Sequence, residues 1–153
     1  MTITLDYSDL QFDDDRAVLL ADENDFHYEL LFARIVFRVD AADFTLEGDE
    51  APPLLDFSFA LRTLAASLAD GESDSYKSPT AWARITFTRS GEQVAISASF
   101  TEATATVGLT ELQDATATFH ARVIQDLLIR YPALGENPGA RKFLVPDPAQ
   151  PLE

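Results

Sequence analysis

Two histidines, twenty-six carboxylates and a single tryptophan are the side chains on which chemistry could be built, and cysteine is absent. Without cysteine there is no disulfide, no thiolate nucleophile and no Cys-containing metal site. His27 and His120 are far apart in the chain, and no third ligand at local metal spacing accompanies either. A serine or threonine nucleophile would need one of these histidines as its base, through a contact that sequence does not display. The Gly-x-Ser-x-Gly elbow, the phosphate loop, the dinucleotide Gly-x-Gly-x-x-Gly and His-Glu-x-x-His do not occur. The expectation is a protein with no catalytic residue, no cofactor and no metal, and therefore not an enzyme.

The carboxylates cluster. Asp13-Asp14-Asp15 and Asp22-Glu23-Asn24-Asp25 could wrap a hard cation, which takes about six to eight oxygens. Neither run follows a calcium loop with its alternating acids, central glycine and closing glutamate, so both read as solvated loops. The charge is lopsided as well: Met1–Asp56 carries fifteen Asp and Glu against three Arg, while the remaining 97 residues carry eleven acids against eight bases. A net charge of −15 excludes direct nucleic-acid binding and disfavours anionic membranes, since both need clustered Lys and Arg. Only Lys77 and Lys142 are lysines, beside nine arginines. A GC-rich genome or a high-salt cytoplasm would produce that bias with no partner at all.

Two surfaces are drawn by these residues. If the acidic loops meet at one end of the molecule, Asp13, Asp14, Asp15, Asp22, Glu23, Asp25, Glu47, Asp49 and Glu50 form one negative patch that steers a basic protein partner. Trp82, Arg84, Arg34 and Arg38 fall on the outward side of strands, and Trp and Arg dominate binding hot spots. The leading expectation is a non-enzymatic, acidic protein-binding module of the immunity or antitoxin type. One alternative is a small-molecule-binding or enzymatic domain with a pocket near Trp82, His120 and Tyr131. A second is a self-associating structural domain, for which the exposed sheet face leaves room for a homodimer.

The elements that must position these residues follow from periodicity. Ile3, Leu5 and Tyr7 alternate as in a half-buried strand. Ala17–Ala21 reads as a short strand between two acidic turns, and His27–Val39 as a long strand with Leu31, Ala33, Ile35, Phe37 and Val39 on its buried face. Leu54–Ala69 is an amphipathic helix, entered after Pro52-Pro53 and stopped by a left-handed Gly71. Glu72–Pro79 reads as a polar loop. Ala83–Ser90 and Val94–Phe100 form a hairpin through Ser90-Gly91, and Ala103–Leu109 adds a strand. Thr110 caps the longest helix, whose stripe runs Leu112, Ala115, Phe119, Val123, Leu127 and Tyr131. Asn137-Pro138 opens a short helix around Gly139–Leu144.

Strands with one apolar face and two amphipathic helices need each other. The predicted fold class is α+β: two layers, a twisted, mostly antiparallel sheet with both helices on one face and a short C-terminal helix. Residues 1–145 form one domain and 146–153 a frayed, proline-rich tail. The N-terminus has no signal-peptide pattern and no apolar run reaches the ~18 residues of a membrane span, which together with the missing cysteines points to a cytoplasmic protein. The stretch Ala121–Arg141 (ARVIQDLLIRYPALGENPGAR) with the preceding hairpin, punctuated by Pro132 and Asn137-Pro138, resembles a group of small acidic actinobacterial proteins of unknown function. That resemblance implies an α+β fold and carries no activity, catalytic residue or ligand with it.

Overall fold

The computed structural model describes residues 2–144; the tail 146–153 lies outside the described residues. In chain order the elements are β1 (Ile3–Ser8), α1 (Asp15–Leu20), α2 (Glu23–Tyr28), β2 (Arg34–Val39), β3 (Ala42–Asp43), α3 (Leu54–Ser67), β4 (Ser73–Lys77), β5 (Arg84–Ser90), β6 (Gln93–Ala98), β7 (Thr101–Gly108) and α4 (Leu109–Arg130). Short 3-10 segments occupy Gly48–Glu50, Pro132–Glu136 and Pro138–Leu144. This is an α+β fold. The strands divide into two antiparallel sheets, β1-β2-β3 and β4-β5-β6-β7, where one continuous sheet was expected. The two-residue β3 pairs with β2 alone, so β7 runs beside β2 and β3 without joining their ladder. Helix α4 spans the gap, packing on β1, β7 and α3, while α3 lies against β4.

One apolar core fills the space between helices and sheets. Phe37 stacks on Phe87 across the two sheets with ring centroids 6.4 Å apart, and Phe57 meets Tyr76 and Phe119 edge-on. The hairpin forms as its sequence predicts: Ser90 pairs with Gln93, and Gly91 takes φ +62° in the turn. The face of the expected long strand is also right, since Leu31, Ala33, Ile35, Phe37 and Val39 are all buried.

Several expected elements change, each for a local reason. Residues 17–20 of the run expected as a strand belong to helix α1, with Ala21 as its C-cap, and His27 sits in α2 rather than on a strand, because the acids that looked like loops are helix caps. Asp14 accepts the Arg16 amide at 2.8 Å, and Asp22 and Asp25 exchange two 3.0 Å bonds in a reciprocal capping box. The chain then reverses at Leu31, held at φ +61° by the Asp13 carboxylate on its amide (2.7 Å) and the Leu54 amide on its carbonyl (2.8 Å). Ser73–Lys77 is a strand because it finds β5 as a partner and buries Tyr76. Gly71 is not left-handed; Arg89 covers the end of α3 instead, donating to the Leu68 and Ala69 carbonyls at 2.8 Å. Gly108, not Thr110, precedes the first turn of α4, and the Leu109 amide bonds the Glu92 carbonyl across the hairpin.

Candidate functional site

A cleft of about 630 Å³ opens between α3 and β4, floored by Phe59, Ala60, Leu64 and Phe143. Five elements bring polar groups to it: His27 from the last turn of α2, Asp56 from the first turn of α3, Asp74 to Lys77 from β4, Arg84 from β5, and Lys142 from the last 3-10 segment. Both lysines of the chain therefore line one cleft.

The 3-10 segment that carries Lys142 is docked tightly. Asn137 donates to the Val18 and Leu19 carbonyls (2.8 and 3.1 Å) and accepts the Gly139 amide (2.8 Å). Gly139 lies so close to Ala21 and Asp22 that a side chain there would meet backbone at 2.7 Å. Phe143 is fully buried against Phe26 and Phe59, and its carbonyl meets His120 Nε2 at 2.7 Å. Lys142 then reaches Glu23 at 2.9 Å.

At the back of the cleft His27 Nδ1 hydrogen-bonds Asp56 Oδ1. Asp56 is 4% exposed, and burial pushes its carboxyl up, opposed by the hydrogen bond and charge of His27. The His27 side chain is 38% exposed and packs edge-on against Tyr28 at 4.3 Å. With Nδ1 committed to the carboxylate, Nε2 carries the remaining chemistry of the ring, and it makes no hydrogen bond among the described residues. Beneath the pair, the Tyr76 hydroxyl is buried without a well-formed hydrogen bond, beside Ser78. Burial and the neighbouring Asp56 charge push that phenol well up, so it stays protonated.

The front of the cleft is cationic. Lys77 and Arg84 are directly opposed partners of the β4–β5 ladder, both exposed, and neither forms an ion pair among the described residues. Like charges placed directly opposite across a ladder are unfavourable. Both residues line the cleft, whose lining also includes the acids Asp56 and Asp74.

The nine acids expected to form a patch have more specific occupations. Asp14, Asp22 and Asp25 cap α1 and α2, and Asp13 holds Leu31. Asp15 pairs with Arg130, Glu23 with Lys142 and Glu47 with Arg34 at 2.9, 2.9 and 2.6 Å. Asp49 and Glu50 lie in the 3-10 turn, where one Glu50 oxygen is buried without a partner. Segment 31–34 does draw two acidic loops together: it bonds Gln11 and Asp13 on one side and Pro52 and Leu54 on the other. The Trp and Arg set does not form one face. Arg34 and Arg38 are on the first sheet, Arg38 paired with Asp43, while Arg84 is on the second and Trp82, 98% exposed, precedes it in a loop. His120 lines no pocket near Trp82; it is fully buried between Phe143 and Arg62, and Tyr131 donates its hydroxyl to the Asp13 carbonyl.

His27, Asp56, Tyr76, Lys77 and Lys142 were not read as a site from sequence. The signal present was the scarcity of lysine, which periodicity does not interpret. Among the described residues no group of three or more His, Asp and Glu is placed to hold a metal ion, and no helix is long and apolar enough to cross a membrane. Compared with protein-family models, curated proteins and solved structures, the chain finds no match.

Proposed function

We propose that this chain is a binding domain for a small anionic molecule, seated in the cleft between α3 and β4. The observation that carries the reading is the pair of opposed cations Lys77 and Arg84, without an ion pair among the described residues, in the lining of a cavity that also receives Lys142, in a chain of net charge −15. A carboxylate or phosphate bridging those cations relieves their repulsion and forms charge-assisted hydrogen bonds with both. The surrounding negative field opposes approach of anions at long range, so the affinity comes from short contacts inside the cleft rather than from steering. Calorimetric titration with succinate, citrate and inorganic phosphate tests this. Saturable binding by at least one is expected, weakened about tenfold by Lys77→Ala or Arg84→Ala. Absence of saturable binding at low ionic strength, or binding indifferent to both substitutions, would overturn the proposal.

A second reading, the acidic module for a basic protein partner, is favoured by one observation. Phe12, Leu19 and Leu20 are exposed by 63, 47 and 69% on and beside the helix that carries Asp14 and Asp15, which places apolar anchors next to acids. An identified basic partner whose affinity falls with salt and with Leu20→Ser supports it; a partner indifferent to both does not.

A further inference from the structure

Resting on the anion-binding reading of the cleft, we infer that the site hydrolyses an anionic ester, with His27 as general base and Asp56 as the residue that positions it. The two histidines of the chain supply an internal comparison. His120 is fully buried and both of its ring nitrogens face protein groups, the Phe143 carbonyl and Arg62. That is a structural histidine. His27 commits only Nδ1, to a carboxylate that is itself buried, and its side chain, 38% exposed, lines the cleft. The Asp56 bond fixes the tautomer with the proton on Nδ1, which leaves the lone pair on Nε2, and the edge contact with Tyr28 restrains the ring.

The cations define what is brought to that lone pair. A substrate whose acid portion ends in a carboxylate anchors on Lys77 and Arg84, and the scissile ester extends along the apolar floor of Phe59 and Ala60 toward His27. A water oxygen bonds to the ester carbonyl carbon while its proton passes to His27 Nε2. The tetrahedral species collapses with cleavage of the carbon–oxygen bond to the alcohol, and the departing alkoxide takes the proton back from Nε2. The products are the alcohol and the carboxylic acid, which ionises in water, and the imidazole is restored. No further reactant is required. The charged groups that act with His27 are Asp56 on α3 and Glu23 on its own helix, and Lys142 from the 3-10 segment neighbours both of those carboxylates.

The test is hydrolysis of mono-(4-nitrophenyl) succinate, with neutral 4-nitrophenyl acetate as the comparison and succinate binding measured on the same proteins. The expected result is saturating turnover of the anionic ester in preference to the neutral one. His27→Gln should lower kcat by about 10²–10⁴-fold while leaving succinate affinity intact. Asp56→Asn should lower kcat without raising KM. Lys77→Ala, at an exposed position, should raise KM and leave kcat in place. Succinate binding without turnover above buffer, or turnover unchanged in a folded His27→Gln protein, overturns the catalytic inference and leaves the binding proposal standing. Failure of both binding and turnover overturns the two together.

Discussion

Replacing His120 with glutamine should make the fold less sensitive to mild acid, by an amount that follows from the burial of the ring. His120 is 0% exposed, with Nε2 at 2.7 Å from the Phe143 carbonyl and Nδ1 at 3.4 Å from Arg62. The neutral ring satisfies both neighbours by donating from Nε2 and accepting at Nδ1. Burial pushes its pKa down to about 4; the Phe143 carbonyl, which favours the charged ring, and the Arg62 charge, which disfavours it, only adjust that outcome. In the unfolded chain a histidine titrates near ~6.5. Between these values the unfolded state binds a proton that the folded state does not. The stabilisation is therefore complete above the unfolded pKa and is lost as pH falls toward the folded one. From pH 7 to pH 5 the loss is about 2 kcal/mol. It depends mainly on the unfolded value, because pH 5 still lies above the folded pKa. Glutamine keeps a donor for the Phe143 carbonyl, does not titrate, and gives up the edge contact with Phe59 at 5.9 Å. It should cost about 1–2 kcal/mol at pH 7, and that gap should close or reverse at pH 5. Urea unfolding at both pH values measures it, followed by far-ultraviolet circular dichroism because Trp82, 98% exposed, reports little of the core. Asp56 titrates in both proteins and cancels in the difference. An equal gap at the two pH values would refute the neutral, buried ring.

Three further outcomes follow from the docking of the terminal segment and from the caps. Gly139→Ala places a methyl group 2.7 Å from the Ala21 carbonyl and the Asp22 backbone, so it should destabilise by about 1–3 kcal/mol and speed amide exchange across Pro138–Leu144; an unchanged melting temperature would show that the contact is not held. Asn137→Ala removes three hydrogen bonds from a residue 4% exposed and should cost about 2–3 kcal/mol in thermal unfolding, with Asn137→Asp recovering little because the donor is still missing. Asp22→Ala should cost about 1 kcal/mol through its cap, whereas Asp49→Ala should change stability by less than about 0.5 kcal/mol; equal effects on urea midpoints would mean that net charge, and not capping, is what these acids contribute.

The fold was legible where one periodicity had one interpretation. The β5–β6 hairpin and the stripe of α4 each bury a single face, and α3 keeps its apolar stripe although its first turn, Leu54 to Ser58, is buried on every side. The errors have a common origin in α1 and α2. These helices are six residues each, too short to display a helical repeat, and what specifies them is the chemistry of their first residues. An aspartate before a short apolar run serves equally as a loop acid or as an N-cap, and only the amide it accepts distinguishes the two. Once the caps are assigned, the reversal at Leu31 follows, because the carboxylate of Asp13 is the partner that makes its left-handed backbone tolerable. Ser73–Lys77 was hidden differently. A polar edge strand that buries one side chain is specified by its neighbour in the sheet, not by its own pattern.

The cleft was not legible, because its residues come from segments far apart in the chain and no two of its charged groups share a helix face. Yet the scarcity of lysine, first attributed to genome or salt, becomes informative once the positions are known. A bias that disfavours lysine acts on every exposed cation, and it left arginine at nine positions. Bias alone gives no reason for both surviving lysines to line the same cavity, one opposite Arg84 in a repulsive pair and the other beside the carboxylate of Asp56. A compact ammonium differs from guanidinium in being a point charge that turns its donors toward whatever enters, without a fixed planar fork. Lys142 already meets Glu23 at 2.9 Å, so on the proposed reading it is Lys77, without an ion pair among the described residues, with whose ammonium an entering anion would complete a pair.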